Sequence, residues 1–391
     1  MKRVHLIPVF MLGLLLVFAG LSYAGSKPEF DLEWYGYFKL DGSYDQNLTS
    51  HGNFVMWVQQ QAYDDDDDQF NMTANQTRFG FRALGKNYHQ AQVEGNLEFD
   101  LYANLDGVAE NKAMIQLRHA YFSVKYEKFK LLAGQTWDMF SPLNPSTMNY
   151  AVLWGCGNTG YRRPQISLWY NFKPSQQTDV TWGAGFFRNI GSDLTPSFTL
   201  SLGETTDGPD DGTDNGIPSF QGQLDVKHSW ESGSSLRVGV SGLWGQLKAE
   251  TNFGNHENYE SWGASAYWKL SWASGFGFSG EAYTGDNLGS YMGGILQNST
   301  IEGVSTTGGW VSAWAEVSPK VTFGAGIGMD DPKDEDFTTG RSKNTCYYGN
   351  LQYALVPGAS IGLEVSQWET DYKGDEAVKN LRAQTSFILS F

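Results

Sequence analysis

Arginines at alternating positions are the residues of this chain best placed to do chemistry. Arg78 and Arg82 share one face of an alternating segment with Gln76, against Thr77, Phe79 and Phe81 on the other. Four residues of extended chain set the two arginines about 13 Å apart. Arg118 shares a face with Gln116 in a later segment, and Arg162-Arg163 opens another, where alternation lets only one of the pair point the same way. Lys39 and Arg382 lie in the first and last alternating segments and would be neighbours in a sheet closed on itself. A guanidinium binds a carboxylate through two parallel hydrogen bonds and does not lose its charge. A row of them on a wet face would pass an anion from site to site. Glu94, Glu98 and Asp100 alternate on one face of the segment 90–103 and would supply the opposite sign across such a passage. The same arginines could instead pair with those acids and brace a wall.

The elements that carry these residues read as strands. Alternating segments fall at 33–45, 71–84, 90–103, 114–126, 129–137, 161–172, 178–188, 217–230, 236–249, 258–272, 275–285, 308–318, 320–330, 344–355, 359–370 and 378–391. In the third, a slip of one residue would exchange three carboxylates for Val93, Leu97 and Phe99, so register is pinned. The last ends on Phe391, with Leu389 and Phe387 on its apolar face and Arg382, Gln384 and Ser386 on the other. Short connections such as Gly85-Lys86-Asn87, Glu127-Lys128 and Pro357-Gly358 alternate with long polar ones at 46–70, 104–113, 138–160, 189–216, 286–307 and 331–343. Sixteen strands with this rhythm predict an all-β chain, an antiparallel transmembrane barrel with apolar residues toward lipid and polar residues toward a wet lumen. A terminal aromatic on such a strand resembles the insertion signal of bacterial outer-membrane barrels. Trp34, Tyr35, Tyr37, Trp169, Tyr170, Tyr267, Trp268, Trp272, Trp310 and Trp314 crowd strand ends, as interfacial girdles do.

The beginning of the chain agrees. Lys2 and Arg3 precede an apolar run from Leu6 to Ala19 and the small-x-small site Ser22-Tyr23-Ala24, which reads as a secretory signal peptide over 1–24. A single barrel domain, 25–391, follows. Net charge is −16, which argues against nucleic acid as a partner. Aromatics make up 15% of the chain and glycines number 46. That pairing suits a barrel in which only alternate residues meet lipid. Cys156 and Cys346 could pair in an oxidising compartment or remain two small unpaired residues.

The segment 138–160 is the candidate for a loop folded into the lumen. It carries Pro142, Asn144, Pro145, Asn149, Trp154, Gly155 and Gly157 and has no charge after Asp138. A solvated surface loop usually carries more. The run Asp64, Asp65, Asp66, Asp67, Asp68 sits in the first long loop. It reads as a solvated tip, or as an oxygen-rich site for Ca²⁺ or Mg²⁺ bridging to lipopolysaccharide or a neighbouring subunit. No other cofactor is expected.

Several blocks carry a family likeness. These are Gly36 to Asp41, Gly52 to Trp57, Asn71 to Gly80, Ala109 to Lys112, Leu117 to Tyr121, and Leu132-Ala133-Gly134-Gln135-Thr136 through to Tyr161-Arg162-Arg163-Pro164-Gln165. Together they resemble the DcaP-like outer-membrane porins over much of residues 36–165. The resemblance implies a homotrimeric porin in the bacterial outer membrane that passes small anionic solutes, dicarboxylates in particular. Some relatives carry a helical extension before the barrel; about nine residues between Gly25 and the first expected strand leave no room for one.

Three other readings stay open. A cation-preferring porin would rest on Glu94, Glu98 and Asp100. A plugged structural or adhesive barrel would conduct nothing. An outer-membrane hydrolase would need a Ser–His–acid set, and neither His119 nor His228-Ser229 has an acid placed by spacing. The chain is therefore expected not to be an enzyme.

Overall fold

The computed structural model describes residues 29–60, 68–88, 91–103, 113–190, 212, 215–251, 255–297 and 303–391. Its strands are β1 (Phe30–Asp45), β2 (Gln69–Thr73), β3 (Arg78–Tyr88), β4 (Ala91–Asp100), β5 (Gln116–Tyr126), β6 (Phe129–Trp137), β7 (Arg162–Ser175), β8 (Thr178–Phe187) and β9 (Ser219–Ser229). The second half continues with β10 (Ser235–Thr251), β11 (Asn255–Ser271), β12 (Phe276–Asp286), β13 (Ser305–Ser318), β14 (Val321–Pro332), β15 (Arg341–Val356), β16 (Ala359–Tyr372) and β17 (Val378–Ser390). Every neighbouring pair is antiparallel, and β17 pairs with β1 from Tyr37↔Ser390 to Asp45↔Arg382, so the sheet closes. Both β2 and β3 pair with β1 and form one stave, interrupted where Ala74–Thr77 holds one residue more than its partner strand. The Thr77 hydroxyl takes the Lys39 amide there at 3.1 Å. The barrel thus has sixteen staves, each within a few residues of its expected place.

Alternation decides which way each side chain points. Trp34, Phe38, Leu40, Phe122, Leu224, Val240, Leu363 and Phe387 lie exposed on the outer face. Their partners in the alternation, among them Lys39, Asp41, Glu98, Ser265 and Ser386, are buried inside. No helix among the described residues is long and apolar enough to cross a membrane; strands make the crossing. Phe391 closes the seam. Its amide and carbonyl exchange hydrogen bonds with Gly36, and its ring packs on Phe38 and Phe79 at 5.6 and 5.9 Å between centroids. A Cβ at Gly36 would strike both the Arg78 carbonyl and that ring.

Of the residues expected in the girdles, Trp34, Tyr170, Trp268 and Trp272 are on the outer face, where a girdle requires them, and the others are not. Tyr35, Tyr37, Trp169, Tyr267, Trp310 and Trp314 share faces with lumenal residues. Tyr35 bonds Asn96 and Glu98, Tyr267 bonds Gln223 and Asp225, and Lys269 lies over Trp314. Crowding near strand ends does not reveal the face; position in the alternation does.

The core lies inside the barrel, toward the long-loop end. Residues 46–60, 138–160 and 287–297 fold inward and pack on one another, with Phe54, Trp57, Tyr150, Trp154, Met292 and Ile295 in their shared apolar cluster. The signal-peptide segment and Asp64 to Asp67 lie outside the described residues.

Candidate solute passage

One wall of the lumen is built by β1 and β3 to β5. Alternation brings Tyr35 and Tyr37, Arg78 and Arg82, and Glu94, Asn96, Glu98 and Asp100 to the inner face. A bulge between Glu98 and Phe99 shifts the register with β5, so that Arg118 and His119 both reach Glu98. Arg78 lies over the Tyr37 ring at 5.1 Å and reaches Glu98 at 3.5 Å, with its side chain 21% exposed. Arg82 lies over Tyr35 at 5.0 Å, is exposed, and makes no ion pair among the described residues. Arg118 is buried, bonded to Glu98 at 2.8 Å and Asp100 at 2.6 Å.

These contacts correct one expectation. Glu98 and Asp100 do not face the arginines across the lumen. They stand between them on the same wall, because β4 is the direct neighbour of both β3 and β5. Glu94 likewise bonds Tyr121 on that wall at 3.2 Å.

The remaining expected cations serve the protein's own architecture. Arg382 pairs with Asp45 at 2.6 Å and donates to the carbonyls of Gly52 and Asn53, tying down the first loop. Lys39 is buried against Asp41 at 3.3 Å, Gln76 at 2.6 Å and the Met148 carbonyl at 3.3 Å. Lys39 and Arg382 are not neighbours, despite closure. Lys39 stands opposite Ile388, six positions or about 20 Å along the seam from Arg382. Nor does alternation choose between Arg162 and Arg163, since both are buried at the end of β7. Arg163 lies over Tyr291 at 3.9 Å, donates to the Ser290 carbonyl and pairs with Asp138 at 3.5 Å. Burial raises the Asp138 carboxyl above its ordinary pKa, and Arg163 offsets this in part. Arg162 is held between Trp137 and Tyr161 at 4.9 and 4.8 Å, and neither terminal nitrogen is hydrogen-bonded to a described residue.

Residues 139–150 run around the inner wall, held by side chains that the sequence reading did not single out. Glu281 on β12 accepts from the Ser141 hydroxyl and from the Leu143 amide at 2.9 Å. Ser312 on β13 bonds Ser146, and Glu364 on β16 takes the Thr147 hydroxyl and the Met148 amide, both at 2.7 Å. Tyr150 then reaches Asp100 and Gln116 on the arginine wall. Asp330 on β14 holds the return path, accepting the Gly157 amide at 2.8 Å and the Ile295 amide at 3.1 Å. The signal for Glu281, Asp330 and Glu364 was a carboxylate on the inner face of a strand whose nearest residues on that face include glycine or serine. Of the loop residues marked from sequence, Asn149 bonds Val55 both ways, Trp154 packs in the aromatic cluster, and Pro142 and Asn144 face open space.

The loop is seated tightly. A Cβ at Gly157 would collide with the Gly309 carbonyl, and one at Gly328 with the Cys156 carbonyl. Val152 and Ile295 sit at φ of 46° and 51°. Such strain costs on the order of 1–3 kcal/mol per residue and persists only where packing overdetermines it. Cys156 and Cys346 are free and buried, and burial pushes the Cys156 thiol well up. Both thiols should therefore resist a water-soluble maleimide in folded protein and react fully in denaturant, which a mass spectrum of each state would check.

A second basic array was missed. Lys227, Arg237 and Lys269 lie side by side in register on β9, β10 and β11. Lys227 and Lys269 are exposed and make no ion pair among the described residues; Arg237 bonds Asp225 at 2.5 Å. Lys227 and Lys269 stand without another lysine or arginine in their strands, and β10 adds to Arg237 only the distant Lys248, so only the pairing register reveals the row.

A family model described as Gram-negative porin matches residues 12–374. A search of curated proteins finds no match. Among solved structures, the outer membrane channel DcaP of Acinetobacter baumannii superposes with a TM-score of 0.71 at 18% identity, over 94% of this chain and 100% of that one. The anion-selective porin from Comamonas acidovorans gives 0.56 at 11%, over 93% and 100%. The trimer form of OmpT from Vibrio cholerae gives 0.53 at 12%, over 93% and 99%. At such identities these likenesses show the shared barrel fold. The family match spans most of the chain, and the chain belongs to the Gram-negative porins of the outer membrane.

Proposed function

We propose that this porin is an anion-preferring diffusion channel for small hydrophilic solutes, carboxylates foremost. The observation that carries the reading is the pair of solvent-facing basic arrays, Arg78 with Arg82 and Lys227 with Lys269, on separate walls of one lumen. The acids Glu98 and Asp100 are engaged by the buried Arg118, so they offer a permeating cation little. Fixed charges lining a narrow wet path set which sign enters. The likeness to a porin described as anion-selective points the same way. Assembly as a homotrimer belongs to this reading, supported by the fold shared with OmpT in its trimer form. Channel function without bond chemistry accords with the family.

Proteoliposomes test the reading directly. Succinate is expected to enter several-fold faster than a diamine of equal length at moderate salt. Faster entry of the diamine would overturn it.

A further inference from the structure

A cavity of about 350 Å³ opens between the start of the inward loop and the wall of β6 to β10. Its lining includes Trp137 and Trp169 together with Asp225, Arg237, Gln223 and Asn144. Its charges are matched within the protein: Asp225 with Arg237, and Asp138 with Arg163 behind it. This distinguishes the cavity from Arg82, Lys227 and Lys269, which are exposed and make no ion pair among the described residues.

The polar groups are also held in place. The Tyr267 hydroxyl takes a hydrogen bond from Gln223 at 2.7 Å and donates to Asp225 Oδ2 at 3.0 Å, while Arg237 lies over its ring at 5.4 Å. The Trp169 indole is oriented by a bond from its Nε1 to Ser167 at 3.2 Å and lies against Gly183, where a Cβ would strike it. Neither Asp225 Oδ1 nor the terminal nitrogens of Arg237 hydrogen-bond a described residue. An acceptor thus stands beside two donors in a cavity that a held indole also lines. Vicinal hydroxyls match such a fork, each giving and taking a hydrogen bond, while the C–H face of a sugar ring lies on the indole. A free anion gains nothing from a site whose guanidinium is already neutralised.

We infer that this cavity is a binding subsite for a neutral polyhydroxylated solute of about monosaccharide size, separate from the anion route. Glucose added to single open channels in a planar bilayer is the probe, with triethylene glycol as a neutral control that lacks ring hydroxyls. Glucose should reduce the current saturably, and triethylene glycol only in proportion to its concentration. In Trp169→Ala the glucose block should weaken about tenfold, the equivalent of losing one good contact, while the reversal potential in a salt gradient stays as in wild type. Trp169→Phe, which keeps a ring, should fall between them. Asn144→Ala provides a variant that leaves the barrel wall intact should Trp169→Ala not insert. The inference is overturned if glucose and triethylene glycol act alike, or if wild type, Trp169→Ala and Asn144→Ala are blocked equally. The reversal potential reports separately on the anion reading.

Discussion

Replacing Arg78 and Arg82 together by alanine should remove most of the anion preference. Arg82 is exposed and Arg78 is part-exposed beside Glu98, whereas Arg118, Arg163, Arg382 and Lys39 are buried among partners within the protein. In a water-like medium a fixed charge about 7 Å from a permeating ion is worth about 0.6 kcal/mol. Losing two removes about 1.2 kcal/mol of attraction for an anion and as much repulsion for a cation, which changes the ratio of anion to cation permeability about 50-fold before screening, and much less at high salt. Adding Lys227→Glu and Lys269→Glu reverses two further charges and should carry the channel into cation preference. Reversal potentials in graded salt would read both steps. If the double alanine variant kept the wild-type value, the route would run elsewhere. Arg118→Ala is a poor substitute for this test, because it leaves Glu98 and Asp100 buried without their main partner and destabilises the wall.

The second large effect concerns the inward loop. Glu281→Ala with Glu364→Ala removes the acceptors of Ser141, Leu143, Thr147 and Met148. Each buried donor left unmatched costs about 1–3 kcal/mol. Four such losses exceed what most local segments can absorb, so residues 139–148 should leave the wall. Single-channel conductance should then rise several-fold and become noisy, and protease should cut within the loop, while the barrel itself stays folded. Unchanged conductance in a correctly inserted variant would show that the loop does not limit the passage. Asp330→Asn, which holds the return path through the amides of Gly157 and Ile295, should produce a milder form of the same behaviour.

Much of the barrel was legible because period-two alternation is a local property. The order Val93, Leu97, Phe99 against Glu94, Glu98, Asp100 fixes the face and excludes a one-residue slip without knowledge of any other strand. The inward loop was legible for a similar reason: a long, uncharged, proline-bearing segment has no cause to face water. What failed were relations between strands. Lys39 and Arg382 share a seam, but the stagger of closure separates them, and no single strand shows stagger. Arg118 and His119 both reach Glu98 only because of a bulge, which breaks the alternation at that point. The row Lys227–Arg237–Lys269 is set by the pairing register of three successive strands, and the anchors Glu281, Asp330 and Glu364 reach a loop far from them in sequence. Face could be read residue by residue; adjacency needed the register.

The most direct test of the central claim is the reversal potential of the purified protein in a planar bilayer under a tenfold salt gradient, recorded with its step conductance. The basic arrays predict discrete steps and a potential of the sign set by chloride. A potential of the opposite sign would contradict anion preference and turn attention to the carboxylates of the lumen. A folded, inserted protein that conducts nothing would contradict the channel itself, and would mean that the three inward loops close it.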